Sequence, residues 1–476
     1  MVIKGTNVDK NDYITPEVIL DEQCKDDMWN LLDRLFPIYR ALCGPGFHDS
    51  LKIIQETLAI EIQEHPSGSD VEGWTIPKEF TVNEAWVEDE TGNRIIDFDD
   101  HPYSLWIYSR PFEGTVGLDE LKAHLHSLPY LPDAIPLRQT YYKNDWGFCA
   151  PHSLVESLTE QKFRVKVDTE LRDGFLRIGE FYLPGECADE FLVNSYLCHP
   201  LGANDNLSGV VVAVELFRQL SQLPKRHLSY RLAIWPETIG AITYISKNKE
   251  RLEHMIGGVG LSICGDDTGV KIDETYYCDT PIDRAFKHAM NFCGHSVNTR
   301  KFSGFVTASD AGHFNQIGLR IPMVTLTRAG ATPQGYIQYH SSDDTPDIVS
   351  AENLLETLNV LWTAIHVIER NRTYKGTFMT TPFLTKYGIF PFQHGTGDGA
   401  HGNEIARAYF ELLYALDGTY DLLSLAERND LPIFMFDEPL REFLRVGLIE
   451  EVSAPGVSAG DIERTRHRRQ RGVQLN

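Results

Sequence analysis

Between about Asp21 and Glu64 the apolar residues recur at helical spacing. MWNLLDRLFPIYRALC and SLKIIQETLAIEI read as two amphipathic helices broken at Gly44-Pro45-Gly46. From Gly73 the period drops to two, and WTIPKEFTVNEAWVEDETGNRIIDF predicts a β-hairpin that turns at Thr-Gly-Asn. LDELKAHLHSL predicts a short helix and YYKNDWGFCAPH an aromatic-rich loop. FRVKVDTELRDGFLRIGEFYLPG then predicts two further strands around an Asp-Gly turn. This β-rich block interrupts two stretches of α/β texture and reads as an insertion.

From Glu190 strands and helices alternate. FLVNSYL leads into VVVAVELF, YRLAIW into TIGAITYISKNKERL, and GGVGLSIC into a loop. PIDRAFKHAMNF predicts a helix, IPMVTLT a strand, and SAENLLETLNVLWTAIHVIER a long helix opened by Ser350. Such alternation predicts a mostly parallel sheet flanked by helices. Beyond Tyr374 a Gly/Pro/His-rich linker precedes a helix, turn, helix, turn, helix and β-like exit, the order of a winged helix-turn-helix.

Composition narrows the function. The 476 residues suffice for two or three domains, and 42% apolar with 11% aromatic residues is ordinary for a globular chain. A formal charge of −24 argues against broad binding to nucleic acid or anionic membrane. Residues 376–451 hold twelve acidic against five basic residues, so the helical module lacks a DNA footprint despite its shape. The Arg-rich end, RTRHRRQR, reads as a disordered tail. No apolar run is long enough to span a membrane and the N-terminus is no signal peptide, which predicts a cytoplasmic protein. Eight scattered cysteines without a framework spacing predict free thiols.

Candidate chemistry gathers at predicted strand ends. After FLVNSYL come Cys198, His199 and Asp205, and imidazole beside carboxylate at the carboxyl edge of a sheet suits a divalent cation such as zinc. A polar loop with a helix N-cap would read the same way. After YRLAIW comes Glu237, placed either to act as general base beside a metal or to complement a helix N-terminus. ICGDD follows a third strand, and FVTASDAGHF carries Asp310 and His313. GYIQYHSSDDTPD carries His340, then Asp343, Asp344 and Asp347.

The series HPLGANDNLSG, PETIG, SDAGHF with GLRIP, and YHSSDDTPD resembles the co-catalytic zinc aminopeptidases of the M28 type. Almost the whole chain resembles the aminopeptidase-like family catalogued as DUF4910 and DUF2172. PSGSDVEGWTIPKEFTVNEAWVEDETGNRIIDF and AIPLRQTYYKNDWGFC match that family's inserted domain, and residues 415–450 its C-terminal winged helix. The resemblance implies a zinc aminopeptidase-like domain from 1–65 and 180–375. It further implies an inserted β-rich domain at 66–179, a winged helix-turn-helix at 376–452, and the tail at 453–476.

By the same resemblance His199, Asp205 and His340 are metal ligands and Glu237 is the general base. Asp310 is an acid that hydrogen-bonds near the reacting amide. The dinuclear enzymes carry Glu-Glu where this chain has Glu237-Thr238, and their further aspartate ligand falls near Cys264, with Asp266 two residues on. One zinc per chain with an open fourth position is therefore implied, with Cys264 or Asp266 as the residues that would hold a second metal. His313 would orient the base or the substrate, and Tyr141, Tyr142 and Trp146 would cap the cleft, although core packing is the expected role for most of the insertion's aromatics.

The activity implied is hydrolysis of amide bonds in small peptide-like substrates, with the acidic module expected to mediate self-association or to pack on the catalytic domain. The alternatives are acyl or aminoacyl transfer at the same site, or a non-catalytic binding protein whose winged helix meets a partner.

Overall fold

The computed structural model describes residues 21–159, 161–304, 309–328, 336–391 and 400–452, the side chains of 400–403 aside; the tail expected at 453–476 lies outside the described residues. Helix α1 (Glu22–Leu35) is capped by the Asp21 carboxylate, which accepts from the N–H groups of Gln23 and Cys24. Phe36 ends it, so IYRALC is a loop and not a continuation of the helix. Helix α2 (Pro45–Thr57) starts on Gly44 with proline in its first turn, where a missing N–H costs nothing.

Strand β1 (Glu61–Pro66) leads into the insertion. There β2 (Glu79–Glu88), β3 (Arg94–Asp97), β4 (Phe112–Gly117) and β5 (Lys162–Arg172) form an antiparallel sheet in the order β3-β2-β5-β4. The β2–β3 hairpin turns where expected, because Asp89 Oδ1 accepts from the N–H groups of Thr91 (2.8 Å) and Asn93 (2.9 Å). The second expected hairpin is absent. Strand β5 pairs with β2 and β4, whereas β6 (Phe175–Leu183) pairs with β1. Asp173-Gly174 is thus a crossing between two sheets, and residues 175–179 belong to the large sheet and not to the insertion.

The large sheet also takes in β7 (Glu190–Tyr196), β8 (Ser229–Trp235), β9 (Met255–Leu261), β10 (Lys271–Asp273), β11 (Thr299–Arg300) and β12 (Met323–Thr327). Its order is β1-β6-β8-β7-β9-β12-β10-β11. The central four, β8-β7-β9-β12, are parallel, while β6 and β10 run antiparallel at their flanks. Strands β7 and β8 are buried at every position, as parallel strands covered on both faces must be.

Helices flank the sheet. α3 (Ser208–Ser221) packs on α1 and on α6 (Ala351–Arg370), which also packs on α5 (Pro281–Phe292); α2 and α4 (Ile239–Lys247) lie against β6. Helix α3 comes so close to the end of β9 that a Cβ on Gly209 would sit 2.8 Å from the Leu261 carbonyl oxygen. Among the described residues no helix is long and apolar enough to cross a membrane.

The C-terminal segment forms a second core. Strand β13 (Thr373–Gly376), directly after α6, is the middle of an antiparallel sheet between β14 (Asp417–Asp421) and β15 (Ile449–Val452). Helices α7 (Ala400–Ala415), α8 (Leu422–Asn429) and α9 (Asp437–Arg445) complete this unit, so residues 373–375, expected in the larger domain, pair within the smaller one. The two units are tied by ion pairs from Arg284 to Asp421 and Glu427 and from Arg370 to Asp437.

Candidate metal centre

Strand β7 delivers the chain to the carboxyl edge of the parallel strands, and the loop after it folds back on itself. Gly202 makes the fold possible, since a Cβ there would meet the Asp205 carbonyl oxygen at 1.9 Å. Buried Asp344 holds the returning loop. Its two oxygens accept from the N–H groups of Asn204 (2.7 Å) and Asp205 (2.9 Å), and Oδ2 also takes the Tyr336 hydroxyl (2.6 Å). Burial pushes the Asp344 carboxyl up to about 7 against the pull of those donors. Buried Arg40 fixes the other end of the loop by donating from Nε to the His199 carbonyl (3.0 Å), and the Tyr103 hydroxyl donates to the carbonyl of Pro200.

This scaffold brings His199, Asp205 and His340 together, although Asp205 and His340 are far apart in sequence. His340 Nε2 lies 3.1 Å from Asp205 Oδ2 and 3.2 Å from His199 Nε2, and His199 Nε2 lies 3.9 Å from Asp205 Oδ2. Asp205 Oδ1 accepts the Tyr196 hydroxyl at 2.6 Å, while Oδ2 is buried and makes no hydrogen bond. Burial opposes ionisation of Asp205, but the two imidazoles outweigh it and hold the carboxyl down at about 2. His199 is pushed down by burial. His340 is driven up instead, because its contact with Asp205 outweighs burial.

Three donor atoms within 3.9 Å of one another suit a cation. Ligand atoms about 2.0–2.2 Å from a tetrahedral zinc stand roughly 3.3–3.6 Å apart, close to the 3.1, 3.2 and 3.9 Å found here. The buried Oδ2 without a hydrogen bond is the second mark of a cation site, since such an atom is costly unless something charged or protic meets it. Among the described residues these three are the group that could hold a metal ion.

Glu237 stands at the mouth of the cluster, after the last residue of β8. Its Oε2 is 3.9 Å from His199 Nε2 and its Oε1 accepts the Ser309 hydroxyl at 2.9 Å, with the side chain 27% exposed. Removal from water drives its carboxyl up, against the attraction of His199, and the nearby Asp310 and Asp205 add to the rise. Thr238, in the left-handed region at φ 64°, turns the chain sharply after Glu237. Asp310 holds that turn, accepting from Thr238 N–H and from Trp235 Nε1, each at 2.7 Å. Both Asp310 oxygens are used and the residue is 2% exposed, so it stands behind the Glu237 turn, whose backbone it holds. Burial lifts its carboxyl to about 6.

The other expected site residues lie elsewhere. Cys264 is buried beneath the site, its N–H donating to Ser208 Oγ (2.7 Å), and Asp266 accepts from Asn204 Nδ2 (2.8 Å) and from Thr268. Both support the ligand loop from behind and stand outside the three-residue cluster. His313 sits in the short helix after Asp310, its ring pushed down by burial. Trp146 does not cap a cleft: it is 2% exposed in the insertion's core, stacked on Phe112 and His124. Tyr142 is exposed and donates to the Thr75 carbonyl (2.6 Å). The insertion still reaches the site, because Leu137 N–H donates to the His340 carbonyl (2.7 Å) and Ser342 N–H to that of Ile135 (2.8 Å). The phenol of Tyr141, on the same segment, feels the charges of Glu237 and Asp310.

Sequence reasoning did not find Arg40, Tyr103, Tyr196, Ser309 or the clamping role of Asp344. Tyr196 carried a readable signal, a phenol at the end of a wholly buried strand, which must find a partner.

The profile of the family described as "Domain of unknown function (DUF4910)" matches residues 29–371. A Clostridium acetobutylicum protein described as a polysaccharide biosynthesis protein with an aminopeptidase-like domain is 33% identical over 428 residues, covering 90% of this chain and 96% of that one. A crystal structure of a peptidase from Clostridium acetobutylicum superposes with a TM-score of 0.80 at 32% identity, covering 90% of this chain and 97% of that one. A zinc aminopeptidase from Bacillus subtilis shares the fold, with a TM-score of 0.55 at 13% identity over 72% of this chain and 93% of that one. With its family profile spanning most of the length, the chain belongs to the DUF4910 family, on an α/β fold shared with zinc aminopeptidases.

Proposed function

We propose that the protein is a zinc-dependent hydrolase of amide bonds with one metal per chain. The observation that carries this reading is the convergence of His199, Asp205 and His340 with the Glu237 carboxylate 3.9 Å from His199 Nε2. His199, Asp205 and His340 would hold the zinc. When bound, the ion supplies Lewis acidity that polarises a carbonyl and acidifies a water. Glu237 takes the proton from the attacking water on a carboxylate oxygen and returns it to the leaving amine, a step its desolvated carboxyl suits. Ser309 fixes the orientation of Oε1, and Asp310 fixes the turn on which Glu237 is carried.

The likeness to aminopeptidase-like and peptidase chains supports a peptide-like substrate, and the name of the Clostridium acetobutylicum protein adds amides carried on sugars to the candidates. We read the setting as cytoplasmic, since eight scattered cysteines without a framework spacing suit a reducing compartment. The C-terminal unit, with its three-stranded sheet and three helices, we read as a winged helix used for contact between protein surfaces, its acidic character being unsuited to DNA.

The test is metal content and turnover of the wild type and of Glu237→Gln on aminoacyl amides and N-acyl amino sugars. The expected result is about one zinc in both proteins, with turnover falling by roughly 10²–10⁴ in the variant. A wild type that takes up no zinc overturns the proposal.

A further inference from the structure

The thiol of Cys198 touches both halves of this site. Its sulfur accepts the Glu237 backbone N–H at 3.3 Å and lies 3.8 Å from His199 Nδ1. His199 turns Nε2 toward Asp205, His340 and Glu237, so Nδ1 is left for a supporting contact. Among the described residues Cys198 Sγ is the one group within hydrogen-bonding distance of that nitrogen. Histidines that hold metals almost always anchor their second nitrogen, and loss of the anchor typically costs 10–100-fold in metal affinity or activity.

We propose that Cys198 is a positioning residue whose sulfur, accepting one N–H from the His199 ring and one from the Glu237 backbone, holds metal ligand and general base in a fixed relation. The inference rests on the metal-site reading given under Proposed function. Sulfur suits the task because its bonds are long and its lone pairs diffuse, so one atom spans contacts of 3.3 and 3.8 Å. The residue is 6% exposed and its sulfur already accepts the Glu237 N–H, so it acts from within the packing as an acceptor of hydrogen bonds.

Two substitutions separate positioning from packing. Cys198→Ser keeps an acceptor in a smaller volume, and Cys198→Val keeps the volume without an acceptor. Each is loaded with Co(II) and followed by its d–d absorption, by chelator competition for the metal, and by kcat and KM apart. Thermal unfolding of the metal-free proteins controls for the fold. The expected result is weaker cobalt binding, by about 10–100-fold, with an altered spectrum and a lowered kcat in Cys198→Val. Cys198→Ser should stand between it and the wild type, even where it is the less stable of the two. Cobalt affinity, spectrum and kcat that follow unfolding temperature, with Cys198→Val equal to the wild type, would overturn the inference and leave the metal site standing. A wild type that binds no cobalt would overturn both.

Discussion

Asp205 divides its two oxygens between a phenol and a pair of imidazoles, and the site depends on keeping them apart. Tyr196 holds Oδ1, so Oδ2 is presented bare to His199 and His340. The same logic governs Asp310, whose oxygens are both spent on the turn that carries Glu237. Asp310→Asn replaces one acceptor by an N–H₂ that must face an N–H, either of Trp235 or of Thr238. The expected effect is a kcat lowered by ten-fold or more at unchanged zinc content, measured by steady-state kinetics beside metal analysis, with a cost of about 1–3 kcal/mol for the opposed donors. If zinc content falls with kcat, the residue supports the ligands and not the base.

At this scale the sequence was informative about groups that must be a particular chemical type. His199, Asp205 and Glu237 stood out as candidates because an imidazole and carboxylates follow apolar runs, and His340 because its polar loop resembles that of a ligand histidine. Arg40 was not, because its target is a backbone carbonyl 159 positions away, which no spacing encodes. Trp146 and Tyr142 misled for a related reason. An aromatic in a polar loop has the same letter whether it fills a core or faces a cleft, and only the partners Phe112 and His124 decide.

Among the elements, helix α5 shows how an N-terminus can be fixed from two sides. Thr280 and Asp283 form a reciprocal capping box, and the Asp283 carboxylate also accepts the N–H and the hydroxyl of Thr275 at 2.8 and 2.6 Å. Thr280→Ala should cost about 1 kcal/mol. Asp283→Ala strands four buried donors and should cost about 3 kcal/mol or more. Urea unfolding of the two variants gives the ordering, and equal losses would mean that the Thr275 contacts contribute nothing.

Element types were readable from period and from the short apolar-rich runs of β7 and β8, while partners were not. On either side of Asp173-Gly174 the residues alternate with period two, which is what a hairpin and a sheet crossing have in common. The end of the larger domain, expected at 375, was misplaced for the same reason. Thr373–Gly376 is a short strand whose partners, β14 and β15, lie later in the chain.

Across the whole molecule, buried histidines tie stability to pH. His366, on α6 beside Arg370 and so next to the Arg370–Asp437 pair, is pushed far down first by burial and then by the Arg370 charge. The folded chain therefore refuses a proton that the unfolded chain accepts below about pH 6.5. Stability from this group is complete above that pH and falls as pH drops below it, by up to about 1.4 kcal/mol per pH unit. His366→Leu should flatten the dependence, so that the variant loses less stability than the wild type between pH 7 and pH 5.5 in urea unfolding. A steeper loss in the variant would contradict the assignment. His65, His101 and His288 are displaced in the same direction by burial, and some slope will remain.

The distance in sequence between His199 and His340, 141 positions, has a consequence in time. A chain emerging from the ribosome exposes His199 and Asp205 long before His340 is made. Until then only two of the three donors exist, and the Asp344 clamp on their loop is missing too. With the metal site proposed above, the nascent protein would be a poor sink for stray metal. Loading would then begin only once most of the chain has been synthesised and folded, and metal uptake would report completion of the fold and not its beginning.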